Sequence, residues 1–320
     1  MSPRSAWKSL LLLLLLGSIA SRANSADTPW PNSVGVSVSS LENPYFVALS
    51  HGARDKAKQI NPKVQFTVMS AGYSIEKQTA QIQLMIQKKV DLILVSASSE
   101  EGLANLLNAA RQQGIIVIGV DVRAKGAMQT VLTNNINAGH SVCDYLARSI
   151  NGKGRAAIQT GPQVSSVIDR VAGCKQAWSK YPGIQLVSDA ENGEGSVWGG
   201  YTATQQLIKQ HGPVDIIFAI NDRQAIGTQQ ALQKAQHSHT KIGSVDGSQA
   251  VVSAIAQGSA IIATASQSPG TMGQRAVELG IAWHQGGNKS TSELELMQAT
   301  LVTQNNAAQF KAWDANKPNN

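Results

Sequence analysis

The order of apolar segments predicts an α/β chain folded into two doubly wound parallel-sheet lobes. Short β-branched runs alternate with amphipathic stretches from about residue 34 onward. The runs are almost continuously apolar, as strands covered by helices on both faces must be. About ten such units are too many for one open sheet of ordinary size, so a division into two lobes follows.

The first set of strands is expected at 34–38, 64–68, 92–95, 115–120 and 131–133. The second is expected at 156–159, 184–187, 216–220, 242–245 and 261–263. Between them the apolar spacing turns helical: Ile75, Thr79, Ile82 and Ile86 fall on one face, as do Val167, Val171, Cys174 and Trp178. Ser98 and Glu101 have capping-box spacing ahead of Leu103, Leu106, Leu107 and Ala110, which predicts a helix start there. Gln113-Gly114 and Asn151-Gly152 supply turns that close units.

Composition narrows the class. The 320 residues are 42% hydrophobic and 15% charged, enough apolar material for two cores and unlike a disordered chain. Two cysteines are too few for a disulfide-knit mini-scaffold, an iron–sulfur cluster or a four-cysteine zinc site. At the start, Arg4 and Lys8 precede a heptaleucine at 10–16, with small residues Ala23 and Ser25 beyond it. The apolar run, about 11 residues, is shorter than the ~20 a spanning helix needs, so 1–25 is expected to be a cleavable export signal. No cysteine stands at the cleavage point to accept a lipid. Losing Arg4, Lys8 and Arg22 lowers the formal charge from +7 to +4, and the remaining cations are scattered, so nucleic acid is not an expected partner.

In doubly wound sheets the ligand sits beyond the carboxyl ends of the strands, and with two lobes that crevice lies between them. The residues following the strands are Asn43-Pro44-Tyr45-Phe46, Asp121-Val122-Arg123, Asn221-Asp222, Asp246-Gly247 and Gln267-Ser268-Pro269. Amides, acids and aromatics thus recur where loops face a cleft. Local readings stand beside this one: Asn43 before Pro44 suits a helix N-cap, Asp222 suits another, and Asp246-Gly247 suits a turn. Tyr45 and Phe46 also fit a helical core face with Leu49 and Ala53.

These pieces, with VDLILVSAS at 90–98, IVIGVD at 116–121, FAINDRQAIG at 218–227, GSVDG at 243–247 and Ala265-Ser266-Gln267, resemble the ribose-type periplasmic binding proteins of ABC importers. The resemblance runs from about Val34 to Thr303. It implies a three-segment hinge with crossings near Asn134, Ser266 and Leu294, hence a first lobe of 26–134 plus 267–293 and a second of 135–266 plus 294–320. It further implies a monomer that delivers a polyol, sugar or deoxy-sugar-like ligand to an inner-membrane permease without catalysis or cofactor. By position, Asn43, Asp121, Asn221, Asp246 and Gln267 would bind hydroxyls, and Tyr45 and Phe46 would sandwich a sugar ring. Two departures stand out: Val122 and Ile168 occupy places where the family carries arginines, and Arg170 aligns with an arginine that is structural there. Asp121 and Asp246 are therefore expected to lack cationic partners, in a pocket more acidic and more apolar than a ribose pocket.

Ala71-Gly72-Tyr73-Ser74 with Gln78-Thr79-Ala80-Gln81-Ile82 is similar to the periplasmic partner of the trimethylamine-oxide sensor kinase. That resemblance implies a sensory alternative, with Tyr73 and Trp198 holding a cationic methylamine-type ligand by cation–π attraction. There is no G-x-S-x-G, H-E-x-x-H or P-loop. His237 and His239 lack further ligands for a metal, and Asn151-Gly152-Lys153-Gly154 precedes a strand rather than opening a helix. For Cys143 and Cys174 a disulfide and two buried thiols both remain open.

Overall fold

Twelve strands build two six-stranded sheets in the computed structural model, which describes residues 29–286 and 292–315. The expected signal, 1–25, lies outside the described residues. The first sheet holds β1 (Ser33–Val38), β2 (Gln65–Ser70), β3 (Leu92–Val95), β4 (Ile116–Val120), β5 (Gln129–Thr133) and β11 (Leu294–Met297), in the order β11-β5-β4-β3-β1-β2. The second holds β6 (Lys153–Gln159), β7 (Gly183–Ser188), β8 (Ile216–Ala219), β9 (Lys241–Asp246), β10 (Ile261–Ser266) and β12 (Thr300–Thr303), in the order β12-β10-β9-β8-β6-β7. All pairs are parallel except β10–β12.

Among the described residues nine helices cover the sheets: α1 (Pro44–Ile60), α2 (Ile75–Gln87), α3 (Ala104–Gln112), α4 (Asn135–Ser149), α5 (Ser165–Trp178), α6 (Val197–His211), α7 (Asp222–Lys234), α8 (Gln249–Ala256) and α9 (Pro269–His284). In the first lobe α1 and α9 pack with Leu49, Val36, Leu94 and Met272 on one face, while α2 and α3 bury Ile82, Leu107, Ile93 and Val117 on the other. In the second lobe α4 and α5 cover Ile158 and Phe218, and the opposite face buries Leu207, Ile217 and Val252. Helix pairs approach closely where glycine removes a side chain. A Cβ on Gly139 would stand 2.0 Å from the Arg170 carbonyl oxygen, and one on Gly173 the same distance from that of Ile136. The contact fixes α5 against α4, and a Cys143–Cys174 disulfide with Cα atoms 5.1 Å apart clamps it.

Two expectations need adjustment. The third crossing lies a few residues beyond Leu294: residues 294–297 pair in parallel with β5, and Glu295 accepts from Arg275 of α9 at 2.6 Å. The chain leaves the first sheet only after Met297, so 294–297 belong to the first lobe. The capping box at Ser98 does not form. Gln78 of α2 accepts from the Ser98 N–H at 2.6 Å and donates to the Ser96 carbonyl at 2.9 Å, drawing this segment toward α2. A turn follows, and α3 starts at Ala104 without a side-chain cap.

Candidate functional site

The loops after β1, β4, β8, β9 and β10 converge between the sheets. Asn43 ends the β1 loop as the N-cap of α1, its side chain accepting from the Tyr45 N–H at 3.1 Å, and Pro44 sets the first helical turn. Asn221 does the same for α7, accepting from Gln224 at 2.9 Å and donating to the Gly195 carbonyl at 3.1 Å. The cap is thus Asn221 rather than Asp222. Asp222 is buried behind the site, where Ser244, Ser248 and Thr264 donate to it.

A cavity between the lobes is lined by Asn43, Tyr45, Phe46, Tyr73 and Asp121 from the first lobe, with Asn221 and Asp246 from the second and Gln267 at the crossing. Eight of the nine expected residues therefore meet in one place. The ninth does not: Trp198 is 71% exposed on α6 and stacks on Tyr201 with ring centres 5.6 Å apart. Position at a helix head put it near the cleft, but its azimuth around the helix turns the indole to solvent.

One hydrogen-bonded chain crosses the floor. The Tyr45 hydroxyl donates to Asp121 Oδ1 at 2.8 Å, with Gln267 Oε1 also within 3.3 Å; Gln267 Nε2 donates to Asp246 Oδ1 at 2.7 Å. Thr133 Oγ1 donates to Gln267 Oε1 at 2.6 Å and Trp313 Nε1 to the Asp246 carbonyl at 2.9 Å. Tyr45 acts here through its hydroxyl. Its ring stands at 86° to Phe46, so the two adjacent rings do not form the parallel faces of a sugar sandwich.

Backbone conformation is unusual at three cavity residues, with φ of 59° at Tyr73, 70° at Asp121 and 138° at Asp246. Each costs on the order of 1–3 kcal/mol and needs support from its surroundings. The next residue, Gly247 (φ 74°), packs so closely on Ser266 that a Cβ would lie 2.1 Å from its Oγ. The strained turn is what points the Asp246 carboxylate inward.

The expectation that both aspartates lack a cation is overturned by Arg170. This side chain, only 5% exposed, reaches the cavity wall from α5. Its Nε donates to Asn135 Oδ1 at 2.8 Å, and its Nη1 donates to the Ile220 carbonyl at 2.9 Å and lies 3.6 Å from Asp246 Oδ1. The sequence held a signal for it: Arg170 interrupts the apolar stripe of Val167 and Cys174 at helical spacing. Ile168, by contrast, faces solvent. Val122 sits in the second lobe's apolar cluster with Val164 and Val167, and with Pro162 and Ile220 these make one cavity wall apolar. Arg123 points to the rim, where it pairs with Glu100 and, across the lobes, with Asp169, while its N–H donates to Ser165 Oγ at 2.8 Å.

Burial raises Asp246 to about 8; Arg170 opposes this, and the negative charges of Asp222 and Asp121 add to it. Asp121 is also raised, chiefly by burial, against Arg170 and the Tyr45 hydrogen bond. Burial with the neighbouring Asp121 keeps the Tyr45 and Tyr73 phenols protonated. The native state therefore holds a proton on Asp246 that the unfolded chain releases above its ordinary carboxylate range. Stability from this proton is complete at acid pH and declines as pH rises toward 8, by up to about 1.4 kcal/mol per pH unit. Denaturant melts from pH 5 to 8 should show this decline in the wild type and a flatter profile in Asp246→Asn; parallel profiles would refute it.

Among the described residues no group of three metal-binding side chains occurs and no helix is long and apolar enough to cross a membrane. Comparison with known proteins agrees with the two-lobed geometry. Ribose import binding protein RbsB of Bacillus subtilis is 27% identical over 249 residues, covering 77% of this chain and 79% of that protein. RbsB of Escherichia coli is 27% identical, covering 83% and 90%. The solved binding-protein component of the arabinose ABC transporter from Shewanella sp. ANA-3, bound to L-arabinofuranose, superposes with a TM-score of 0.79 at 25% identity, covering 86% and 93%. The family model described as the periplasmic binding protein domain matches residues 34–288, and the chain belongs to that family.

Proposed function

We propose that this protein captures a small polyol, sugar or deoxy-sugar-like molecule in the periplasm and presents it to an ABC import permease. The observation that carries this reading is the cavity itself: polar groups from both lobes and the crossing face one space, with an apolar wall opposite. Amides and carboxylates pair with vicinal hydroxyls, and Val122, Val164, Val167 and Ile220 suit C–H surface. The family and the named relatives are described as binding proteins, which favours a site that binds rather than transforms. The named relatives are import proteins, which favours transport over the sensory alternative, and Trp198 is not placed to support that alternative. Asn43, Tyr45, Phe46, Tyr73, Asp121, Asn221, Asp246 and Gln267 are the proposed ligand contacts, joined by Arg170.

Capture works by closure. A ligand touching both lobes favours the closed state by the difference in its affinity for the two states. Arg123 with Asp169 and Ser165 adds a ligand-independent contact across the rim. Such a partly exposed pair is worth about 1 kcal/mol or less. Asp169→Asn should therefore raise the open population a few-fold, read as a larger radius of gyration of the unliganded protein by small-angle scattering. An unchanged radius would show that the rim pair does not hold the lobes.

The reading is tested by a thermal-shift screen of pentoses, hexoses and polyols followed by calorimetry. A saturable hit that disappears in Asp246→Ala is expected. Absence of any polyol or sugar hit would overturn it.

A further inference from the structure

The charge balance of the cavity narrows the ligand further. The charged side chains among its described lining residues are Asp121, Asp246 and Arg170, two acids to one cation, so ionising Asp246 leaves one negative charge in excess. Asp222 adds its field from behind Asp246, and Arg223 acts on Tyr73 from outside the lining. Burying an uncompensated carboxylate is costly, and the closed site must neutralise it with a proton or with a cation from the ligand.

The hydrogen-bond pattern leaves places for such a cation. One oxygen of each aspartate is occupied, Asp121 Oδ1 by Tyr45 and Asp246 Oδ1 by Gln267 with Arg170 beyond. No described residue bonds to Asp121 Oδ2 or Asp246 Oδ2, nor to the hydroxyls of Tyr73 and Ser166. Ser166 is 4% exposed and Asp246 5%, so these are unpartnered polar groups in a built site rather than surface atoms. An ammonium offers three donors and a charge, which matches free carboxylate oxygens better than a hydroxyl does. Aromatic faces of Phe46 and Tyr73 line the same space and tolerate a cation.

Resting on the binding reading above, we propose that the ligand is an amine-bearing polyol, an amino sugar or amino alditol, whose ammonium is held by Asp121 and Asp246 while its hydroxyls engage Asn43, Tyr73 and Arg170. The rim position of Arg123 fits this: a second arginine at Val122 would have neutralised the charge that the ammonium meets.

The test uses matched pairs differing in one group: glycerol with 3-aminopropane-1,2-diol, ribitol with 1-amino-1-deoxyribitol, and sorbitol with 1-amino-1-deoxysorbitol. Calorimetry on the full mature protein at pH 7 should show at least one amine binding tenfold or more tightly than its neutral partner. Asp121→Asn and Asp246→Asn, measured separately so that one misfolded variant does not decide the matter, should each bring that ratio toward one. Equal or tighter binding of the neutral members would overturn the amine while leaving the polyol reading standing. No binding by any member also overturns the amine, and the fate of the broader reading then rests on the sugar and polyol screen.

Discussion

Replacing Arg170 by methionine should destabilise the protein by about 3–5 kcal/mol, a fall in melting temperature of roughly 10 °C. The methionine keeps length and helix preference, so the change isolates the guanidinium. What it leaves behind is expensive: Asn135 Oδ1 and the Ile220 carbonyl lose their donors, and Asp246 and Asp121 lose their one buried counter-charge. The loss should be smaller at pH 5 than at pH 8, because protonated aspartates no longer need the cation. Ile168→Ala, two residues away on the same helix but half exposed, should stay within about 0.5 kcal/mol of wild type. A loss below about 1 kcal/mol in Arg170→Met, independent of pH, would mean that the aspartates are compensated from elsewhere.

The role of this arginine is not legible in the sequence, because its partners are distant along the chain. Ten strands, β1 to β10, were legible because each is a local apolar run, most of them buried on both faces, that needs no knowledge of its neighbour. β11 and β12 were not: Leu294–Met297 leaves two leucines exposed and buries none of its residues fully, and both strands exist because β5 and β10 offer an open edge. The same limit applies to the site. Asn43, Asp121, Asn221, Asp246 and Gln267 follow strand ends, and topology alone carries them to the cleft. Arg170 and Asp246 are 76 positions apart, and only the packing of α5 on α4 brings them together. Trp198 failed for the complementary reason, since a place at the head of α6 fixes height above the sheet but not the direction around the helix axis. Tyr45 and Phe46 both line the cavity, yet neighbouring residues on a helix point about 100° apart, and their rings stand at 86° to each other.

The packing that brings Arg170 inward depends on a covalent link whose removal should be the second large effect. Cys143 and Cys174 lie 31 residues apart, and closing that loop lowers the entropy of the unfolded chain by an amount worth about 3–4 kcal/mol. Around the bond, the Gly139 and Gly173 contacts and the Trp178 Nε1 donation to the Cys143 carbonyl at 2.8 Å hold α4 and α5 together without it. Cys143→Ala/Cys174→Ala should therefore still fold, but unfold at lower urea, by about the same free energy that dithiothreitol removes from the wild type. The reductant should leave the double variant unchanged, which separates the bond from any general effect of the reagent. Ligand affinity should fall less than stability, because the glycine contacts keep α5 in register and with it Arg170 in the cavity wall. If wild type and double variant share one urea midpoint, the two helices hold each other by packing alone and the bond adds nothing to the native state.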